Sequence, residues 1–304
     1  MSLLNLTNDG LPNVLAVLYE AVALAKAPLE REELLELVAP KGVVHEDGKM
    51  ARQTLNRWAE LGLFVDADAG KIALASVPTT EMRDASEVLS AVRTAARRCA
   101  LADANNPDLW ASEGARAADL TRSLAWLLAQ DVYRTTFSPA ALEELEMKQI
   151  ADPEARLMVN QTRRNGLQFW SHFLGFVRQP GGGDIDPTLA VRESISACIE
   201  PGEDMPASAF VERLAQVLPV LDGGKWRSAV ELRLEPQALP SMAEGQLSTS
   251  LSRALIALMM DEQLRFENRA DVGRSVVFTG RDGLRPNYRY SWVSRPEAKK
   301  RKTR

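Results

Sequence analysis

The chain has 304 residues, 45% of them apolar and 26% charged, with a formal net charge of −4. That composition is ordinary for globular domains, and the length fits two or three of them. No stretch approaches the roughly 18 consecutive apolar residues of a membrane helix. The opening MSLLNLTNDGLPNVL lacks the basic region and cleavage pattern of a signal peptide, and Cys99 and Cys198 are far apart with no metal spacing, which suits a reduced, cytoplasmic setting.

The net charge hides a gradient. Residues 1–75 carry 7 Lys/Arg against 11 Asp/Glu, whereas residues 265–304 carry 12 against 4, a local charge of +8. Local potential, not the sum over the protein, decides where a polyanion sits.

Along the first 77 residues the pattern predicts three helices and a hairpin. The first helix runs from Pro12 to Lys26, with a first-turn proline and an apolar stripe of Val14, Leu15, Val17, Leu18 and Val22. Glu30 to Val38 forms a second, acidic in its first turn. Gly48 to Leu61 forms a third, with Leu55, Trp58 and Leu61 inward. Leu63–Val65 and Lys71–Ala75 flank a glycine-containing turn and read as a strand pair.

Residues 78–178 read as helices punctuated by Pro107, Pro139 and Pro153. Gln179–Asp184, with three consecutive glycines, reads as a linker. Beyond it, Leu189–Ile199, Ala207–Leu218 and Leu247–Gln263 read as helices. Trp226–Leu234, Leu264–Glu267, Ser275–Thr279 and Tyr288–Val293 read as strands, with turns at Asp271–Gly273 and Gly280–Gly283. The expected fold class is therefore mainly α with small β wings. Its domains are 1–77, 78–180 and 186–295, followed by a basic tail, 296–304.

Three helices and a hairpin is the winged-helix order, and Arg52–Leu74 resembles the recognition helix and wing of bacterial winged-helix proteins through Trp58 and Leu61-Gly62-Leu63. That resemblance implies DNA contact by the polar face of the third helix. Arg52, Gln53, Asn56 and Arg57 are the residue types that contact base edges or phosphate, and a merely solvated polar face is the plain alternative. The C-terminal module repeats the order more elaborately. There Arg274, Arg281, Arg285 and Arg289, among other strand arginines and with Tyr288, Tyr290 and Trp292 interleaved, form a candidate phosphate-binding and stacking surface. The tail Lys299–Arg304 reads equally well as a solvated end.

No enzyme pattern stands out. His45 and His172 have no ligand partner at metal spacing. Leu221-Asp-Gly-Gly-Lys225 lacks P-loop spacing, and Asp184 and Asp186 fit turn formation. The expectation is a non-catalytic protein with no cofactor and no metal. Its expected partners are DNA and the protein subunits of a multi-subunit complex, with a second copy of the chain also open. The order of modules is similar to kleisins and to tandem winged-helix partners of chromosome-organising ATPases, which implies an adaptor that scaffolds an ATPase or nuclease. The opening Leu3-Leu-Asn-Leu-Thr-Asn-Asp-Gly-Leu-Pro-Asn-Val-Leu15 resembles the start of the G component (DpdG-like) of bacterial Dpd clusters, which insert deazapurines into DNA and restrict unmodified DNA. That resemblance implies an accessory subunit for anti-phage defence with no catalytic motif.

Overall fold

Proline at the first helical position and apolar residues at helical spacing produce α1 (Pro12–Leu24), which buries Leu15, Leu18, Tyr19 and Val22. The structure is a computed structural model and describes residues 3–4, 11–25, 27–43, 48–67, 70–76, 84–110, 116–157, 160–179, 183–269 and 274–297. His45, the turn 271–273, the glycines at 181–182 and the tail from 298 onward lie outside the described residues. The chain packs as two units, one of residues 1–121 and 157–174, the other of 122–156 and 175–304.

In the first unit, α1 is followed by β1 (Leu29–Glu30), α2 (Arg31–Val38), α3 (Lys49–Glu60), β2 (Phe64–Asp66) and β3 (Lys71–Leu74). The sheet order is β1-β3-β2, all antiparallel, with Leu29 opposite Ile72 and Phe64 opposite Leu74. Helix α3 stops where the sequence makes it stop. Gly62 takes a left-handed φ of 81°. Its N–H donates to the Ala59 carbonyl at 2.9 Å, and the Leu63 N–H donates to that of Trp58 at 2.8 Å. These are the paired bonds of a Schellman cap, open cheaply only to glycine. The chain then turns so that Leu63 and Phe64 enter the core beside Trp58.

Two further helices of this unit start on side-chain caps. Asp84 accepts from the N–H groups of Ser86 and Glu87 to begin α4 (Ala85–Leu101), and Asn160 accepts from that of Arg163 to begin α7 (Gln161–Phe173). The aromatic run on α7 is mostly core. Trp170 is buried 5.2 Å from Trp58 and meets Phe173 edge-on, while Phe169 is exposed. Leu4 is buried, and its N–H donates to Asp119 at 2.7 Å.

The second unit takes up most of α5 (Ala118–Ala129) and adds α6 (Pro139–Gln149). A buried side-chain network joins them. The Trp126 indole donates to Gln149 at 2.8 Å, the Gln149 amide donates to Gln130 at 2.9 Å, and the Gln130 amide donates back to the Trp126 carbonyl at 2.8 Å. The ends of the glycine-rich stretch meet in an antiparallel bridge between Val177 and Ile185. Asp186 is buried there and accepts from Arg178.

The elements that follow are α8 (Thr188–Ser194), a 3-10 turn (Ile195–Ala197), β4 (Asp204–Pro206), α9 (Ala207–Val217), α10 (Lys225–Glu231) and α11 (Thr249–Met260). The last are β5 (Arg265–Glu267), β6 (Val276–Gly280), β7 (Gly283–Tyr290) and β8 (Trp292–Ser294). Strand β8 lies between β4 and β5, and β6 pairs with β7 as a separate hairpin.

The expected strand at Trp226–Leu234 is instead the helix α10. Trp226 and Val230 share a face under either period, so a seven-residue window cannot separate the two. The helix is decided by its start, where the N–H groups of Trp226 and Arg227 both donate to the Pro219 carbonyl at 3.0 Å. The architecture is mainly α with small antiparallel sheets, and the two units share a wiring. In each, a short strand directly before a helix pairs with the last strand, which takes the centre of a three-stranded sheet. They differ in the link between the second and third strands of that sheet. It is residues 67–70 in the first unit and residues 268–291, containing the β6–β7 hairpin, in the second. Among the described residues no helix is long and apolar enough to cross a membrane.

Candidate nucleic-acid interface

The four polar residues expected to project from α3 have different fates. Asn56 is exposed, but its Oδ1 accepts from Arg31 of α2. Arg52 reaches back to Glu32 of α2 at 3.3 Å. Gln53 is half-buried, and its enclosed Oε1 has no hydrogen-bond partner among the described residues. Arg57 overturns the expectation of exposure, because its side chain is only 3% accessible and pairs with Glu60 at 3.0 Å. Position 57 lies one turn from Thr54 and from Leu61, both buried, so the inward stripe of α3 widens to take in the arginine stem. The face of α3 is thus tied to the acidic α2 and is not a free cationic surface.

The C-terminal arginines fare differently. All five residues of β6 are buried, whereas β7 is mostly exposed. Val276 pairs with Tyr290, Val277 with Arg289, Thr279 with Leu284 and Gly280 with Gly283. Phe278 alone therefore faces residues 285–288, and the β7 chain bulges out over that span, as bulges do where a strand must re-aim its side chains. Phe278 fills the space beneath, 5.3 Å from Phe266 and 5.1 Å from Tyr290. The bulge carries Arg285, whose guanidinium lies 5.6 Å from the Tyr288 ring. Arg274, Arg281 and Arg289 are exposed around it. Among the described residues none of these four arginines has an ion pair with a carboxylate.

The neighbouring arginines and aromatics are committed elsewhere. Arg269 spans Glu267 at 2.6 Å and Asp204 at 2.7 Å, and stacks on Trp292 at 4.5 Å. Its hydrogen bond holds the Asp204 carboxyl below the ordinary carboxylate range. Arg295 donates to the Ile199 carbonyl at 2.9 Å and to Ser196 at 3.1 Å. Tyr290 belongs to the phenylalanine cluster, where burial pushes its hydroxyl pKa up. The expected stacking surface of three aromatics is reduced to Tyr288, because Tyr290 and Trp292 support the fold from beneath.

Beside the hairpin turn lies a feature that the sequence did not signal, a cleft of about 540 Å³. Arg281, Asp282 and Gly283 of the turn line it, together with Arg227 of α10, Thr279 of β6 and the irregular stretch 234–242. The sequence around Arg227 fits a strand as well as a helix and gives no sign that α10 brings this side chain here.

In chemical terms the hairpin presents guanidiniums of the kind that contact phosphates, and the cleft beside it is partly open and mixes charged with apolar side chains. A family model described as DpdG-like matches residues 1–272 of this chain. The match stops short of β6 and β7, so the hairpin is interpreted from its own structure. No curated protein and no solved structure matches the chain.

Proposed function

This chain belongs to the DpdG-like family, and on that premise we propose that it is a non-catalytic, DNA-binding subunit of a DNA-modification and defence complex. The observation that carries the DNA reading is the β6–β7 hairpin, with Arg274, Arg281 and Arg289 exposed, Arg285 half-buried beside them, and no carboxylate paired to any of the four among the described residues. Phosphate contacts supply most of the affinity for DNA and position the protein without reading sequence. The shared wiring of the two units supports reading both as winged helices, the second with an enlarged wing that carries the charge.

A second role suits the first unit. Its α3 is neutralised from α2, and Leu37, Val43 and Met50 are exposed around the turn joining them. That combination favours a docking surface for another subunit, the adaptor role of tandem winged-helix proteins. DNA held by the second unit and protein held by the first would make the chain a link between the two.

The test is binding to duplex DNA over a salt series, with Arg274, Arg281, Arg285 and Arg289 changed to Gln together. Affinity should fall on every sequence alike, and the slope of log affinity against log salt should flatten by about 0.9 for each phosphate that is no longer neutralised. An unchanged slope with loss of a co-purifying protein would make the hairpin a protein-docking element.

A further inference from the structure

We propose that the cleft beside the hairpin receives a single nucleobase swung out of the DNA that the hairpin holds. The proposal rests on the DNA reading above and adds what happens at the turn. The position comes first. Arg281, Asp282 and Gly283 are at once the tip of the arginine hairpin and the rim of the cleft, so a backbone gripped by the hairpin passes the cleft mouth. Its volume of about 540 Å³ lies in the usual range for enclosing a small organic ligand.

The lining favours a neutral, planar, hydrogen-bonding ring over a phosphate. Arg134, Arg227 and Arg281 line the cleft, but so do Asp131, Glu231, Glu235 and Asp282. Carboxylates repel a phosphate, whereas they accept from the exocyclic amines of bases, and guanidiniums donate to base oxygens and ring nitrogens. Leu239, Pro240 and Met242 add an apolar flank suited to the face of a ring.

One charged part of the wall is fixed in place. Arg227 is only 5% exposed, and its Nε donates to Glu231 at 2.5 Å. Its Nη1 lies 3.7 Å from Asp222, within ion-pair range, but is buried with no hydrogen bond. Held by Glu231 and Asp222, the arginine is a fixed part of the cleft wall and keeps the Glu231 carboxylate in place there.

The wall is also held ready. The backbone around Gln237 adopts a left-handed φ of 68°, rare for a residue with a side chain. It is braced on both sides by Gln149, whose carbonyl accepts from the Glu235 N–H at 2.8 Å and whose amide donates to the Ala238 carbonyl at 3.0 Å. Backbone held in such a conformation by its surroundings marks binding elements more often than plain loops.

The experiment uses the full chain and a duplex carrying 2-aminopurine at a mismatch, where swinging a base out costs least. With wild-type protein, 2-aminopurine fluorescence should rise several-fold on binding as the base leaves the stack. Ala238→Met fills the cleft with an uncharged chain and leaves the backbone bond to Gln149 in place. This variant should still bind the duplex with the same salt slope, because its phosphate contacts are untouched, and the rise should disappear. DNA binding without a rise in the wild type, or an equal rise in Ala238→Met, would overturn the proposal and leave the DNA reading intact. No binding of duplex or single strand would overturn both, and capture of free 2-aminopurine nucleoside in that case would mark the cleft as a small-molecule site.

Discussion

Arg285 lies flat across Gly280, so that a β-carbon added at Gly280 would run into the arginine Nε. The absence of a side chain at 280 therefore sets where the guanidinium of 285 stands, beside Tyr288 and over the buried strand. Gly280→Ala should push the flexible arginine end aside at little cost to the fold, within about 1 kcal/mol. DNA affinity should fall as far as it does in Arg285→Gln, and combining the two changes should add nothing further. Additive losses, measured by fluorescence anisotropy, would show that the glycine does not act through the arginine.

The contact between Arg52 and Glu32 permits a cleaner test of α3 than removing its polar residues. Glu32→Gln frees Arg52 and makes the face of α3 more positive. Because both side chains are substantially exposed, the stability change should stay under about 1 kcal/mol. If the first unit serves protein docking, DNA affinity should not move. A tenfold gain in affinity would place a second DNA surface on α3.

Gln149 serves the fold and the cleft wall together. In Gln149→Leu the Trp126 indole N–H and the Gln130 Oε1 lose their buried partner. Leaving such groups unsatisfied costs about 1–3 kcal/mol each. The urea midpoint should fall accordingly with an unchanged m-value, whereas Glu144→Gln on the exposed side of α6, which breaks only the pair with Lys148, should cost far less.

Burial pushes the Cys198 thiol up to about 11 from an ordinary value of 9.0. The folded state holds that proton more tightly than the unfolded chain does. Its contribution is thus complete below pH 9 and is lost as pH rises toward 11, on the order of 2–3 kcal/mol. Stability measured at pH 8 and pH 10.5 should fall more steeply in the wild type than in Cys198→Ala. Parallel decline in both proteins would assign the alkaline loss to tyrosines such as Tyr19, whose hydroxyl is also pushed up by burial.

The legible parts of this molecule were those fixed locally. Helix boundaries followed proline, glycine and side-chain caps, and Leu61-Gly62-Leu63 announced a turn because only a glycine there closes α3 cheaply. Strands β1 and β4 went unread, since two or three residues carry no alternation and exist only by pairing with distant partners. Arg57 was misplaced because an arginine stem can fill a core edge as a leucine would. The arginines of the hairpin were visible as charge, but their freedom from carboxylates was not. Arg269 looks the same in the sequence and is fully engaged by Asp204 and Glu267.

The wiring of the second unit also bears on how the protein is made. Among the described residues, strands β4 and β5 each pair only with β8, and β8 begins at Trp292. Met205 must wait for Val293, far along the chain, before its strand has any neighbour. While the chain emerges from the ribosome, the first unit's sheet can form once residue 74 is free, but the second unit's sheet has no centre until β8 follows, long after β4. Pairings between such distant segments form slowly and leave apolar surface uncovered meanwhile. A nascent or truncated chain that stops before β8 would therefore expose the phenylalanine cluster around Phe266 to the quality-control machinery of the cell, however intact its first unit.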